Sequence, residues 1–501
     1  MKDEMKRWFL LLALVVLSGS TFAPAPHIDP RVLEDTADGK IGRFLVVLRS
    51  QTQTRALVTT VSNRAQRAQI VFNALKQNAV TTQSNVRAQL EAWGGKYRAY
   101  YIVNAIAVEG DRAVVDALAA RADVAAIESD RAFRVNLPRV ENAPAAPNGI
   151  EWNVNQINAP SVWMLGYTGQ NIVYANADTG VQWNHPALES HYRGWNGAAN
   201  HNYNWWDAIH SDLSGNGTNP CGYNLTAPCD DYGHGTHTLG IGIGDDGAGN
   251  QIGVAPGARW IACRNMEQGW GSPSTYLECL QFFLAPTDLN GNNPDVSKRA
   301  DVVSNSYGCP PAEGCSVNSL LIALDNLRAA GIFMAVSAGN AGSSCSTVND
   351  PPAIYDSAIT VGATDINDLV AAFSSRGPVT IDASNRRKPD LVAPGVSIRS
   401  STVGGAYSTM SGTSMAAPHV AGAVALLWSA IPALRRDVDA TETLLQQTAR
   451  RLTTAQGCGG DSATQVPNNV YGYGRIDVLA AYNSFVPPVQ PFIYYLPIVG
   501  K

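Results

Sequence analysis

Three residues of this 501-residue chain have the types that together make a serine nucleophile: Asp178, His234 and Ser414. A serine hydroxyl attacks poorly until a base takes its proton. A histidine base in turn needs an acid to hold its tautomer and stabilise its cation. Each of the three sits in its own glycine-flanked stretch: NADTGV, YGHGTHTLGIGIG and STMSGTSMAAPHVAGAVALL. Asn340, in the SAGN that follows a strand-like run, adds an amide donor for the oxyanion of a tetrahedral intermediate. The backbone N–H of Ser414 would be its partner. Taken singly, each residue has a plainer reading. Asp178 fits a turn before Gly180, and Ser414 fits an ordinary helix N-cap. His234 and His237, three apart, raise a metal reading, but H-E-x-x-H is absent and Asp230 and Asp231 are the only carboxylates nearby. Four plain readings would have to hold at once to dismiss the set.

The elements that must position these residues follow from the hydrophobic pattern. Strand-like runs fall at Ile172–Asn176, Trp260–Cys263, Val302–Ser304, Ile332–Val336, Ile359–Val361 and Leu391–Ala393. Helical patterns fall at Leu320–Ala330, Met415–Ser429 and Thr441–Arg450. Strands alternating with helices over this length imply an α/β fold, a doubly wound and mostly parallel sheet covered on both faces. Ligands meet such sheets beyond the carboxyl ends of their strands, where Asp178 lies. The alanine-rich run after Ser414 predicts a narrow, buried helix. Pro418 is expected in its first turn, which sets the start close to Ser414.

Residues 26–140 form a separate unit with a strand, helix, strand, helix, strand order: Gly42–Leu48, an Ala/Gln/Arg-rich stretch to about Leu90, Tyr100–Gly110, Asp111–Arg121 and Val124–Glu128. That order predicts a small α+β domain with an antiparallel sheet. A proline-broken linker, 141–150, joins it to residues 151–485, and the charge balance changes sign there. From Pro26 to Pro147 there are 16 Lys+Arg against 12 Asp+Glu, net +4; from Asn148 to Lys501 there are 17 against 27, net −10. The two units should attract each other, and neither resembles a nucleic-acid-binding surface. Residues 1–25 read as a signal peptide: charges to Arg7, an apolar block Trp8–Leu17 too short to span a membrane, then small residues. All eight cysteines lie after residue 220 without a C-x-x-C. An even count in an exported chain points to disulfides. Cys221 with Cys229 and Cys309 with Cys315 would each close a short loop; the other four are left open. The tail, 486–501, reads as an edge strand or a surface-attachment signal.

DTG, HGTH and GTSMAAPH, in the order Asp178, His234, Ser414, resemble the signature segments of subtilisin-like serine peptidases, the subtilase family. SAGN, GVAPGA, KPDLVAPG and SNSYG fit as well, and DDGAGNQIGVAPGARWIA resembles its bacillopeptidase F-like branch. The resemblance implies that Asp178 orients His234, that His234 takes the proton of Ser414, and that Asn340 holds the oxyanion. It implies substrate-cleft walls at Ser306, Tyr307 and Gly308 and at Ser337, Ala338 and Gly339. Residues 26–140 would be a ferredoxin-like inhibitory propeptide, cut off within about Asn136 to Glu151. The implied protein is a secreted, monomeric endopeptidase zymogen acting on proteins or peptides. No cofactor is expected for the chemistry. Structural calcium fits an exported member, but no residue can be named for it, since Gly244–Asn250 is built unlike a familiar calcium loop. His234 lies 56 positions after Asp178, and the chain between them includes an aromatic, Asn-rich insertion, Tyr192–Asp230, read as a stapled surface loop. Two other classes compete: a catalytically silent binding protein on the same scaffold, which the intact four positions disfavour, and an esterase or amidase with the same triad.

Overall fold

The computed structural model describes residues 24–138, 140–141, 149–311 and 314–486. The signal-peptide stretch to residue 23, most of the linker and the tail beyond residue 486 lie outside the described residues.

In the N-terminal unit the strands Gly42–Leu48, Lys96–Tyr100, Ala105–Gly110 and Val124–Ser129 form an antiparallel sheet, with His27–Ile28 added in parallel at one edge. The run Tyr100–Gly110, expected as one strand, is two strands joined by a turn at 101–104. The cause is Asn104, whose buried side-chain amide bonds Ser50 O and Thr82 Oγ1 and so folds the chain back. The helix Arg64–Ala92 covers one face, burying Ala68, Val71, Leu75, Ala79, Val86 and Leu90 at helical spacing.

The second unit is built on a seven-stranded sheet in which every neighbouring pair is parallel. Its order is Leu391–Pro394, Ile359–Thr364, Phe333–Ser337, Val302–Asn305, Val173–Asp178, Arg259–Arg264, Trp205–Asp207. Every residue of Phe333–Ser337 is buried, as expected for a central strand covered on both faces. The sheet grows from Val173–Asp178 in both directions, so Asp178 stands at the carboxyl end of a strand where the winding reverses. Trp205–Asp207 comes from the insertion, which is therefore not a mere surface loop. Trp205 and Tyr192 are fully buried, and Asp207 forms an ion pair with the buried Arg264 at 2.9 Å.

The helix Thr413–Ala430 lies in the core, with Ala416, Ala417, Ala421, Ala423 and Ala425 all inaccessible. Pro418 sits in its second turn, not its first. Cystines join Cys221–Cys229, Cys263–Cys279, Cys309–Cys315 and Cys345–Cys458. The two short loops match expectation; the other two pairs join a sheet strand to a helix and residues 113 apart, which only the fold brings together.

One apolar core runs through both units, joining Leu45, Val71 and Leu75 to Leu277, Leu280, Phe283 and Leu324. Around it Asp130 accepts from Ser274 N and Ser274 Oγ, both at 2.8 Å, and from Arg43 at 2.8 Å. A carboxylate of one unit thus sits at the N-terminus of the helix Pro273–Leu284 of the other, where unpaired N–H groups favour negative charge.

Candidate active site

Asp178 and His234 meet at the end of the strand Val173–Asp178 and the start of the helix His234–Ile243. His234 Nδ1 donates to Asp178 Oδ1 at 2.7 Å, and both side chains are shut off from solvent. Asp178 also accepts from Thr179 N at 2.8 Å and Thr238 Oγ1 at 3.2 Å, which fixes its plane. Gly235 is needed for this approach: a Cβ there would lie 2.1 Å from Gly180 O and 3.0 Å from Asp178 Cβ. With Nδ1 committed as donor, Nε2 presents a lone pair, and among the described residues it has no hydrogen-bond partner.

Asp230, weighed in the sequence as a metal ligand, instead ties these segments together. It accepts from Thr179 Oγ1 at 2.8 Å, Gly233 N at 2.8 Å and Thr236 N at 2.8 Å. Asp231 takes the amide of Gln268 and pairs with Arg264, and burial pushes its carboxyl up to about 7. His237 Nε2 meets Ser408 O at 3.1 Å; burial pulls its pKa down to about 3. Among the described residues no group of three or more His, Cys, Asp or Glu side chains is arranged to hold a metal ion.

Ser414 is the second residue of the helix Thr413–Ala430, so its N–H is among the first four that no i−4 carbonyl reaches. Its hydroxyl donates to Ser306 O at 3.2 Å, while Ser306 Oγ donates to Ser414 O at 3.0 Å. Asn340 reaches the same place from the end of the strand Phe333–Ser337. Thr413 N and Thr413 Oγ1 both donate to Asn340 Oδ1 at 2.9 Å, which assigns the amide orientation and leaves Nδ2 free to donate. Ser306, Tyr307, Gly308, Ser337, Ala338 and Gly339 line one cavity with Asn340 and Ser414.

Alignment with known sequences matches residues 169–474 to the model of the subtilase family, peptidase S8. The chain is 38% identical over 443 residues to bacillopeptidase F of Bacillus subtilis (strain 168), covering 84% of this chain and 29% of that protein. It is 33% identical over 390 residues to subtilisin E of the same strain, covering 77% of this chain and 83% of that protein. Serine protease AprX of that strain is 32% identical over 336 residues, with 62% and 66% covered. The chain belongs to the subtilase family.

In this subtilase the cleft is not open. Phe133–Arg134 of the N-terminal unit pairs antiparallel with Trp270–Gly271, and Val135 N donates to Gly269 O at 2.8 Å. Leu137 is buried, Pro138 comes close to Gly412, and Glu141 N donates to Thr409 O at 2.8 Å. The chain therefore crosses directly over the Ser414 cavity. Sequence reasoning missed Thr413 as the residue that orients Asn340, and the edge Trp270–Gly271 as the cleft's other wall. Thr413 was within reach, since a threonine beside Ser414 at a helix start has few partners to choose from. The edge strand is two residues long and carries no pattern of its own.

Proposed function

We propose that this subtilase is a secreted serine endopeptidase made as a precursor, with residues 26–140 as a ferredoxin-like inhibitory propeptide and 151–485 as the peptidase domain. The observation that carries the chemistry is the buried Asp178–His234 pair, whose Nε2 has no hydrogen-bond partner among the described residues, while Ser414 and Asn340 line one cavity. In this reading the Ser414 hydroxyl leaves Ser306 O and gives its proton to His234 Nε2. Ser414 Oγ then attacks the peptide carbonyl, and the oxyanion is held by Asn340 Nδ2 and Ser414 N–H. His234 returns the proton to the leaving amine, and water repeats the sequence on the acyl-enzyme. Asp178 keeps the imidazole in its tautomer and stabilises its cation throughout. Each step uses protein groups and water, so the chemistry is assigned no cofactor, and calcium only a structural role.

Inhibition by the N-terminal unit is supported by the segment Phe133–Pro138, which occupies the cleft in extended pairing as a substrate would. Its antiparallel strand order, joined by two helices on one face, suits the propeptide reading. Export is supported by the N-terminal charged and apolar pattern and by four cystines, which persist in oxidising compartments. Protein or peptide substrates and a monomeric state complete the proposal.

The test is the intact mass of the secreted protein before and after a serine-directed covalent inhibitor, with Ser414→Ala in parallel. The wild type should lose the N-terminal unit and gain one adduct on Ser414, while the variant stays full length and unlabelled. A wild type that keeps the unit and takes no label would sink the reading.

A further inference from the structure

The cavity of about 340 Å³ beside Ser414 also contains a carboxylate, Asp350, that the chemistry above does not use. Its other walls are small or apolar: Gly308, Ala338, Gly339 and Ala353. Asp350 lies directly against Gly308. A Cβ at Gly308 would be 3.2 Å from Asp350 Cβ and 3.6 Å from Oδ2, so the glycine is what lets the carboxylate approach the cavity. Among the described residues no lysine, arginine or histidine lines this space. Burial pushes the Asp350 pKa up, and among the described residues no cation or side-chain hydrogen bond offsets it.

A half-buried carboxylate without a partner is costly, and it gains most from a cation delivered with a ligand. Gly308 is two residues beyond Ser306, whose carbonyl accepts the Ser414 hydroxyl, a chain distance of at most about 7 Å. A long side chain carried by the residue whose carbonyl Ser414 attacks spans that distance with a terminal ammonium or guanidinium. The chain that now crosses the cleft leaves this charge unmatched, since the residues it contributes to the cavity are Phe133, Val135, Asn136 and Leu137.

We propose that Asp350 selects lysine or arginine as the residue immediately N-terminal to the scissile bond, a specificity that rests on the peptidase reading given above.

The experiment compares tripeptidyl p-nitroanilides identical except for a final Arg, Lys, Phe or Leu, using mature wild type, Asp350→Asn and Asp350→Ser. Active sites are counted with diisopropyl fluorophosphate, so a misfolded variant is recognised by its missing label. Wild-type kcat/KM should favour Arg and Lys over Phe and Leu by about tenfold or more. The Arg-to-Phe ratio should fall by about 100-fold in Asp350→Asn, as expected when one partner of a desolvated charge pair is lost. A labelled wild type that prefers Phe or Leu, or an unchanged ratio in both labelled variants, overturns the role of Asp350 and leaves the peptidase reading standing. A wild type that neither takes label nor cleaves any of the four overturns both.

Discussion

Ser306 and Ser414 exchange hydrogen bonds, each hydroxyl donating to the other's carbonyl oxygen, at 3.0 and 3.2 Å. The reason lies four residues on, at Pro418, which has no N–H to offer the Ser414 carbonyl of its own helix. The freed carbonyl is buried, and Ser306 satisfies it. The proline therefore couples the Ser414 backbone to the segment that directly follows the strand Val302–Asn305.

This coupling gives a double-mutant prediction. Ser306→Ala should destabilise the protein by about 1–2 kcal/mol, since it orphans a buried acceptor. Pro418→Ala restores the missing donor, so the double variant should lose less than the single effects added together, by about 0.5 kcal/mol or more. Urea unfolding of the inhibitor-labelled enzyme measures it, and strict additivity would refute the explanation.

Thr413 orients the Asn340 amide through two bonds to Oδ1. Asn340→Ala should lower kcat by about 10²–10³, the size of loss known for removing one such donor in a subtilisin, with KM little changed. Thr413→Val keeps the backbone donor and should cost about tenfold in kcat with KM again steady. A change confined to KM would mean that both residues serve ground-state binding only.

Asp130 caps a helix of the peptidase unit from the N-terminal unit. Asp130→Asn should weaken their association by up to about 2 kcal/mol while leaving each unit's own core untouched. After cleavage, the N-terminal unit should co-elute with wild-type peptidase in gel filtration and separate from the variant. Equal retention would show that the apolar contact alone holds the complex.

Two histidines set an acid limit on stability. Burial pulls His237 down to about 3 and His419 down to about 4, from an ordinary 6.5. Between pH 6.5 and 4 the unfolded chain therefore binds more protons at these sites, and their contribution falls as pH drops, by up to about 1.4 kcal/mol per pH unit for each. Asp231 works in the opposite direction over the same window, because burial raises it to about 7 and the folded state holds its proton longer. His419→Gln isolates one histidine, whose ring is held by Asn153 and Met415 O. The variant's loss of melting temperature relative to Ser414→Ala should shrink steadily from pH 7 to pH 4.5; a constant difference would refute a neutral buried His419.

The sequence showed the central strands because covered parallel strands read as unbroken apolar runs, as in Phe333–Ser337. It marked Asp178, His234, Ser414 and Asn340 as candidates because the chemistry proposed for them needs fixed small neighbours. The helix His234–Ile243 was hidden by Gly235, Gly240 and Gly242, which lower helix propensity. Packing reverses that penalty, since a Cβ at Gly242 would strike the Tyr174 ring at 2.4 Å. Pro418 was misplaced because the rule against internal prolines assumes no outside donor for the freed carbonyl. Asp350 was invisible for a simpler reason: nothing near it in sequence marks it, and only the fold sets it against Gly308.

The flanks of the seven-stranded sheet bear on how the molecule behaves in a crowd. On one side the last strand, Trp205–Asp207, is three residues long and is tied down by its own loop through Leu225 N to Asp207 and Trp205 Nε1 to Leu225 O. On the other, Leu391–Pro394 ends in a residue without an N–H, and Val392 is already bonded to Gly474 and Ile476. Neither flank offers a free ladder to a passing chain, which is how edge-to-edge aggregation begins. The edge that does accept extended chain, Trp270–Gly271, lies at the cleft. Loosened polypeptides around this protein would thus pair with it at the Trp270–Gly271 cleft edge and find no ladder at the two flanks of the sheet.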